Sequence, residues 1–176
     1  MPGIDESRTF RPLNICVLTI SDTRTEQDDK SGQALIDRLT TAGHKLARRQ
    51  IIKDDQRAIE DALRSAIEDP EIHVVISTGG TGVTGRDVTP EAFAAVIEKQ
   101  IPGFGELFRQ LSYQHIGTST IQSRACAGVA RGTYLFALPG STGACRDGWD
   151  WILQQQLDSR YRPCNFAELI PRLEET

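Results

Sequence analysis

Two hydrophobic rhythms alternate along residues 12–166. Residues 13–20 (LNICVLTI) form a nearly continuous apolar run with β-branched members, the pattern of a strand covered on both faces. Ala34, Leu35 and Leu39 follow at helical spacing, with Ser31 as the expected cap and Gly43 as the stop. Residues 45–53 predict a second, more polar strand ending on Ile51 and Ile52. Asp55 is placed to cap a helix whose apolar positions Ala58, Ile59, Ala62, Leu63, Ala66 and Ile67 mark one face of a 3.6-residue period, ended by Pro70. Residues 72–77 (IHVVIS) are the third strand. Thr89-Pro90-Glu91 then opens a helix with a hydroxyl cap, a proline in the first position and an acid near the positive end. Residues 100–108 do not read as a strand. A helix is expected after Gly105 through Leu107, Phe108 and Leu111, and a shorter one within 119–129. Residues 133–138 (TYLFAL) form a late strand, and Ser141 caps a last helix carrying Trp149 and Ile152.

Strands alternating with helices predict an α/β fold with a mostly parallel sheet covered on both faces. In such sheets ligands sit outside the carboxyl ends of the strands, so the loops that follow strands are the ones to read. No internal repeat or linker divides residues 12–166, which are expected to form a single domain between two polar, loose ends, 1–11 and 167–176. At 176 residues a chain buries roughly two-thirds of its unfolded surface. A net charge of −4 argues against a nucleic-acid partner, which calls for a basic face. No apolar run approaches membrane-spanning length, and the acidic start MPGIDESRTFRPLN lacks the apolar core of a secretory signal, so the expected location is the cytoplasm. Cys16, Cys126, Cys145 and Cys164 are far apart, without metal-ligand spacing, and read as reduced thiols.

Three loops after strands carry the polar chemistry. The first holds Ser21 and Asp22, with Asp28, Asp29, Ser31 and Gly32 beyond; the second is 78–92 (TGGTGVTGRDVTPEA); the third is 138–142 (LPGST). Gly80, Gly82 and Gly85 match a dinucleotide-binding spacing, but the helix begins too late and no strand follows at the required distance. Arg86 and Asp87 stand where a P-loop needs lysine and a hydroxyl. What remains is four glycines within 79–85 that let backbone N–H groups approach an anion, next to a helix N-terminus; a tight turn would also account for them. Asp87 in an anion-binding loop is repulsive unless a cation intervenes, which suits magnesium bridging carboxylate and phosphate. Asp54 ends the second strand on the same edge and could join the ion, but on local sequence alone an aspartate just before a helix reads more readily as part of its cap. No Ser-His-Asp or Cys-His arrangement is visible, and His44, His73 and His115 read as surface or packing residues.

The stretch TGGTGVTGRDVTPEA closely resembles the signature of the MoaB/MogA family of molybdopterin-binding proteins, which also includes the gephyrin G domain. The resemblance extends to TISD at 19–22, DKSG at 29–32, IPGFGELFRQLS at 101–112, GTSTIQSRACAGVARG at 117–132, LPGST at 138–142 and RPCNF at 162–166. It implies a three-layer αβα sandwich around a mixed sheet, assembled as a homotrimer or hexamer. It also implies joining of molybdopterin to AMP with Mg²⁺ and ATP, release of pyrophosphate, and hand-over to the molybdenum-insertion protein. Carried over by motif, Gly79, Gly80, Thr81 and Gly82 would hold anionic groups, and Thr78 and Arg86 would belong to the same substrate- and nucleotide-binding set. Ser21, Asp22, Pro139, Gly140 and Ser141 would border the pterin and nucleotide, and Asp54 and Asp87 would be the catalytic, metal-binding acids. Phe104 and Phe108, set among glycines, are expected at a subunit interface.

Overall fold

In the computed structural model, which describes residues 1–175, a short β1 (Gly3–Ile4) precedes the apolar run, which becomes β2 (Asn14–Ile20). The expected alternation continues through α1 (Lys30–Thr41), β3 (Lys45–Ile52), α2 (Gln56–Ile67) and β4 (Val74–Thr78). After the long glycine loop come α3 (Thr89–Val96), β5 (Lys99–Gln100) and α4 (Pro102–Ile116). A 3-10 segment (Gly117–Gln122) then leads to β6 (Cys126–Ala130) and β7 (Thr133–Leu138). The last long helix begins as α5 (Thr142–Gly148), passes a π-type turn at Trp149–Leu153 and ends as α6 (Gln154–Gln156). β8 (Tyr161–Arg162) and α7 (Phe166–Leu169) close the fold.

The main sheet has the order β3-β2-β4-β7-β6-β5. Its first four strands are parallel, and the other two add antiparallel pairs, β7 with β6 and β6 with β5. Successive side chains of a strand face opposite sides. Ile15 and Val17, with Val74, Ile76, Tyr134 and Phe136, therefore pack against Leu35 and Leu39 of α1, Phe104 and Phe108 of α4, and Trp149. Cys16 and Leu18, with Val75 and Leu135, pack against Ile59 and Leu63 of α2 and Phe93 of α3. Each fully buried side chain of this size contributes about 1.5–3 kcal/mol, which is why every residue of 15–20 except Thr19 is apolar. The fold is thus a three-layer αβα sandwich around a mixed sheet.

Several local expectations need correction. Residues 126–130 form a strand, not part of a helix, and Lys99–Gln100 pair with Val129 and Gly128 as a further edge strand. Helix α4 starts at Pro102, three residues before Gly105, because proline's fixed φ suits the first helical turn. Phe104 and Phe108 are core residues, 3% and 2% exposed, packed on the sheet and not on a subunit interface. Asp29, not Ser31, caps α1 by accepting from the Gly32 N–H at 2.9 Å. Thr89 is already helical, and the preceding Val88 gives no side-chain cap. The N-terminal segment 1–11, expected to be loose, is tied down: β1 pairs antiparallel with β8, and the Arg11 N–H donates to Ser159 Oγ at 2.9 Å. At the other end, Ala167 is buried in the core; Thr176 lies outside the described residues.

His44 packs as read: it is 5% exposed, its Nδ1 accepts from the Leu13 N–H at 3.2 Å, and its ring meets Trp149 edge-on. Burial pushes its pKa down to about 4, against the opposing pull of Asp158. A group with a depressed folded pKa takes up its proton first in the unfolded chain, so its contribution is whole above about pH 6.5 and is lost as pH falls towards 4. Between pH 7 and 5 this amounts to about 2 kcal/mol. Urea unfolding of His44→Gln at the two pH values should show that much less acid sensitivity than the wild type; equal pH slopes would refute the assignment.

Candidate functional site

The chain runs from β2 to β3 on one side and returns to β4 on the other, so the carboxyl ends of β2 and β4 flank the point where strand order reverses. All three polar loops meet at this edge. Ser21 N–H donates to Ile52 O at 2.8 Å, and Asp22 accepts from the Asp54 N–H at 3.2 Å, joining the ends of β2 and β3. Arg86 reaches back from the glycine loop to pair with the Asp22 carboxylate. Thr78 Oγ1 donates to Pro139 O at 2.9 Å, Gly79 N–H donates to Leu138 O at 3.0 Å, and Ser31 Oγ donates to Gly140 O at 2.8 Å. Ser141 caps α5 as expected, accepting from the Ala144 N–H.

The turn out of β4 depends on Gly79 and Gly80, whose φ values are +106° and +65°. In that left-handed region a side chain is strained. A Cβ would also strike Ile20 O at Gly79 and Thr89 Oγ1 at Gly80. Thr89 holds this turn from behind: its hydroxyl donates to Gly79 O at 2.9 Å and its N–H to Gly80 O at 3.0 Å. The hydroxyl expected to cap the helix is spent on the glycines.

Asp54 and Asp87 converge on the same turn. Asp54 Oδ1 lies 3.2 Å from the position of a Gly80 Cβ. Burial first, and then the nearby Asp87 charge, push the Asp54 carboxyl above its usual range. Burial opposes ionisation of Asp87 as well. Hydrogen bonds from Thr84 and Gly82, with Arg124 nearby, outweigh it and hold Asp87 below the ordinary carboxylate range. Asp87 Oδ2 accepts from the Thr84 N–H at 2.8 Å and from the Thr84 hydroxyl at 2.7 Å. The result is one carboxylate that stays ionised and a second that pays for being near it. A cation between them would relieve that repulsion.

A cavity of about 760 Å³ opens beside the turn, within the usual range for a small-molecule site. Gly80, Thr81, Gly82, Asp87, Pro139, Gly140 and Ser141 line one side of it. Ser21, Asp22, Asp54, Thr78, Gly79 and Arg86 stand at the same strand ends outside its lining. The rest of the lining was not foreseen, including Phe108, Ser112 and His115 of α4, Thr120 and Ser123 after it, and Arg146 and Asp147 of α5. His115, read as a surface or packing residue, both packs edge-on against Trp151 at 4.5 Å and faces the cavity. Arg124 was also missed. It follows Ser123 of this lining and reaches the glycine loop, where Nε donates to Gly82 O at 2.6 Å and Nη2 to Asp87 O at 2.7 Å. Its sole signal in sequence was its place within GTSTIQSRACAGVARG.

Fold and site together define a three-layer α/β protein with its ligand cavity at the carboxyl edge of the sheet. Residues 16–159 match the family model described as "Probable molybdopterin binding domain". Molybdenum cofactor biosynthesis protein B of Escherichia coli (strain K12) is 48% identical over 160 residues, 91% of this chain and 94% of that protein. The protein of the same name from Bacillus cereus is 49% identical over 142 residues, 80% of this chain and 84% of its own. A crystal structure of molybdenum cofactor biosynthesis protein B superposes with a TM-score of 0.87 at 39% identity, covering 96% of this chain and 100% of that one. The tungsten cofactor synthesizing protein MoaB from Pyrococcus furiosus superposes with a TM-score of 0.75 at 36% identity, over 82% and 92% of the two chains. The chain belongs to the MoaB/MogA family of molybdopterin-binding proteins, a family of molybdenum cofactor biosynthesis.

Proposed function

We propose that the protein adenylylates molybdopterin, with Mg-ATP as co-substrate and pyrophosphate as the second product. The observation that carries this reading is the pair of acids, Asp54 and Asp87, drawn together at the glycine turn beside a cavity of ligand size. Two carboxylates, with phosphate oxygens and water filling the other positions, suit magnesium, which seldom takes a complete protein cage. Asp54 and Asp87 would hold the ion, which when bound neutralises charge on the phosphoryl oxygens.

The remaining work falls to the chain. Gly79 N–H is taken by Leu138 O and Gly82 N–H by the Asp87 carboxylate, so the backbone N–H groups of Gly80 and Thr81 hold anionic groups, and Pro139, Gly140 and Ser141 border the bound pterin and nucleotide with Ser21 and Asp22. An oxygen of the molybdopterin phosphate attacks the α-phosphorus. The bond to the β-phosphate oxygen breaks and pyrophosphate leaves. A phosphate monoester is already largely ionised at pH 7, so the step needs positioning and charge neutralisation without a general base.

Incubating the protein with molybdopterin and Mg-ATP should release pyrophosphate and yield adenylyl-molybdopterin. Tight molybdopterin binding with no pyrophosphate would favour the second reading, a non-catalytic binding or scaffold protein. The hydrogen bonds that Thr84 gives Asp87 favour that second reading, because they show the acid also organising its own loop. A trimer or hexamer and transfer to a molybdenum-insertion protein rest on the family resemblance, and location in the cytoplasm is proposed with them. A monomer mass by light scattering would remove the first of these.

A further inference from the structure

We infer that Arg124 is a positioning residue for this reaction, fixing the peptide planes of the glycine loop so that the Asp87 carboxylate is held at the cavity. The inference rests on the proposed adenylylation for its catalytic consequence, and on hydrogen bonding alone for its structural one. Arg124 sits just before β6 and touches the loop at three carbonyls. Its backbone N–H donates to Thr81 O at 2.9 Å, Nε to Gly82 O at 2.6 Å and Nη2 to Asp87 O at 2.7 Å. The other edge of the guanidinium is held by the Glu91 carboxylate in the first turn of α3, with Nη2 3.2 Å from Oε2.

A trans peptide is planar, with its C=O and N–H pointing in opposite directions. Because Thr81 O faces Arg124, the Gly82 N–H of the same peptide faces away from it, and that N–H is one of the donors to the Asp87 carboxylate. The carbonyl of Asp87 itself is held by the same guanidinium, so the acid is fixed through its backbone and, by way of Gly82, through its side chain. A loop this rich in glycine loses much conformational entropy on ordering. Arginine's planar fork bridges two carbonyls and a carboxylate at once, which a lysine ammonium does not reproduce.

The test uses the full chain with Arg124→Ala and Arg124→Lys, read by pyrophosphate release and by amide hydrogen exchange. A reacting group misplaced by about 1 Å costs up to on the order of 100-fold, so kcat in Arg124→Ala should fall at least about tenfold. Because the loss is in transition-state alignment, the KM for molybdopterin should change less than about threefold. Exchange should quicken at residues 82–88 and stay unchanged in β2 and β4. Added guanidinium ion should restore part of the turnover in Arg124→Ala, and Arg124→Lys should remain impaired. Wild-type kcat and exchange in Arg124→Ala would overturn the inference, as would a loss of protection spread over the whole chain without guanidinium rescue. If the wild-type protein itself released no pyrophosphate, the adenylylation proposal would fall and with it Arg124's catalytic consequence. Exchange at 82–88 would then decide the anchoring role alone, upheld by local acceleration and refuted by none.

Discussion

Asp87→Asn is expected to slow pyrophosphate release on the order of 100-fold at saturating Mg-ATP, since Lewis-acid stabilisation of phosphoryl oxygens is worth several kcal/mol and each 1.36 kcal/mol is tenfold. Molybdopterin affinity should change little or rise, because a negative charge near an anion has gone. The geometry supplies the control. Thr84→Val removes the hydroxyl that donates to Asp87 Oδ2 at 2.7 Å but leaves the carboxylate charged. If Asp87 only organises its loop, the two variants should behave alike. If it holds the ion, Asp87→Asn should be far the slower. Asp54→Asn should also slow turnover, and the double variant should be non-additive because the acids share one ion. In metal-free protein the sign reverses. The folded pKa of Asp54 is raised, so its charged form opposes folding as pH rises through that pKa, and Asp54→Asn should melt higher than wild type at pH 7. Near-normal turnover in Asp87→Asn would remove the metal role altogether.

Gly80→Val is expected to cost several kcal/mol of stability as well as ligand binding. The position needs φ near +65°, where a β-branched residue is strained by roughly 1–3 kcal/mol, and its side chain would displace the Thr89 hydroxyl that holds Gly79. Loss of binding in that variant therefore reports on both the ligand and the fold. Gly143 separates them. It lines the cavity wall in the first turn of α5, and nothing lies within 4 Å of where its Cβ would be. Gly143→Leu should fill ligand space while favouring the helix by several tenths of a kcal/mol. Molybdopterin binding by Gly143→Leu should fall at least about tenfold with an unchanged or higher melting temperature. Undiminished binding would place the ligand elsewhere.

The parts of the fold that were legible in sequence are those whose signal is local. The buried parallel strands announce themselves because both faces must be apolar, as in residues 15–20, and Asp55 and Ser141 are caps because the bonded N–H lies three residues on. The antiparallel edge was not legible. Residues 126–130 (CAGVA) are mostly small and carry little strand preference, and β5 is too short to show a period. The same division runs through the site. The glycine turn and its two acids stand in motifs, and the structure brings them together. Arg124 and the wall from α4 approach from a distant part of the chain, and an isolated arginine in SRACAGV has no local pattern that marks what it will hold. Phe104 and Phe108 were misplaced for a related reason: glycine neighbours suggested an exposed surface, whereas those glycines lie within α4 itself.

The β1–β8 ribbon has a practical meaning for any binding assay. β8 follows the helix that runs back from the carboxyl edge, and Arg11, two residues before the Leu13 that leads into β2, is bonded to Ser159 beside it. The N-terminus is therefore stapled to the end of the sheet opposite the cavity. A protein immobilised through a tag on Met1 would be tethered from the end of the sheet away from its cleft.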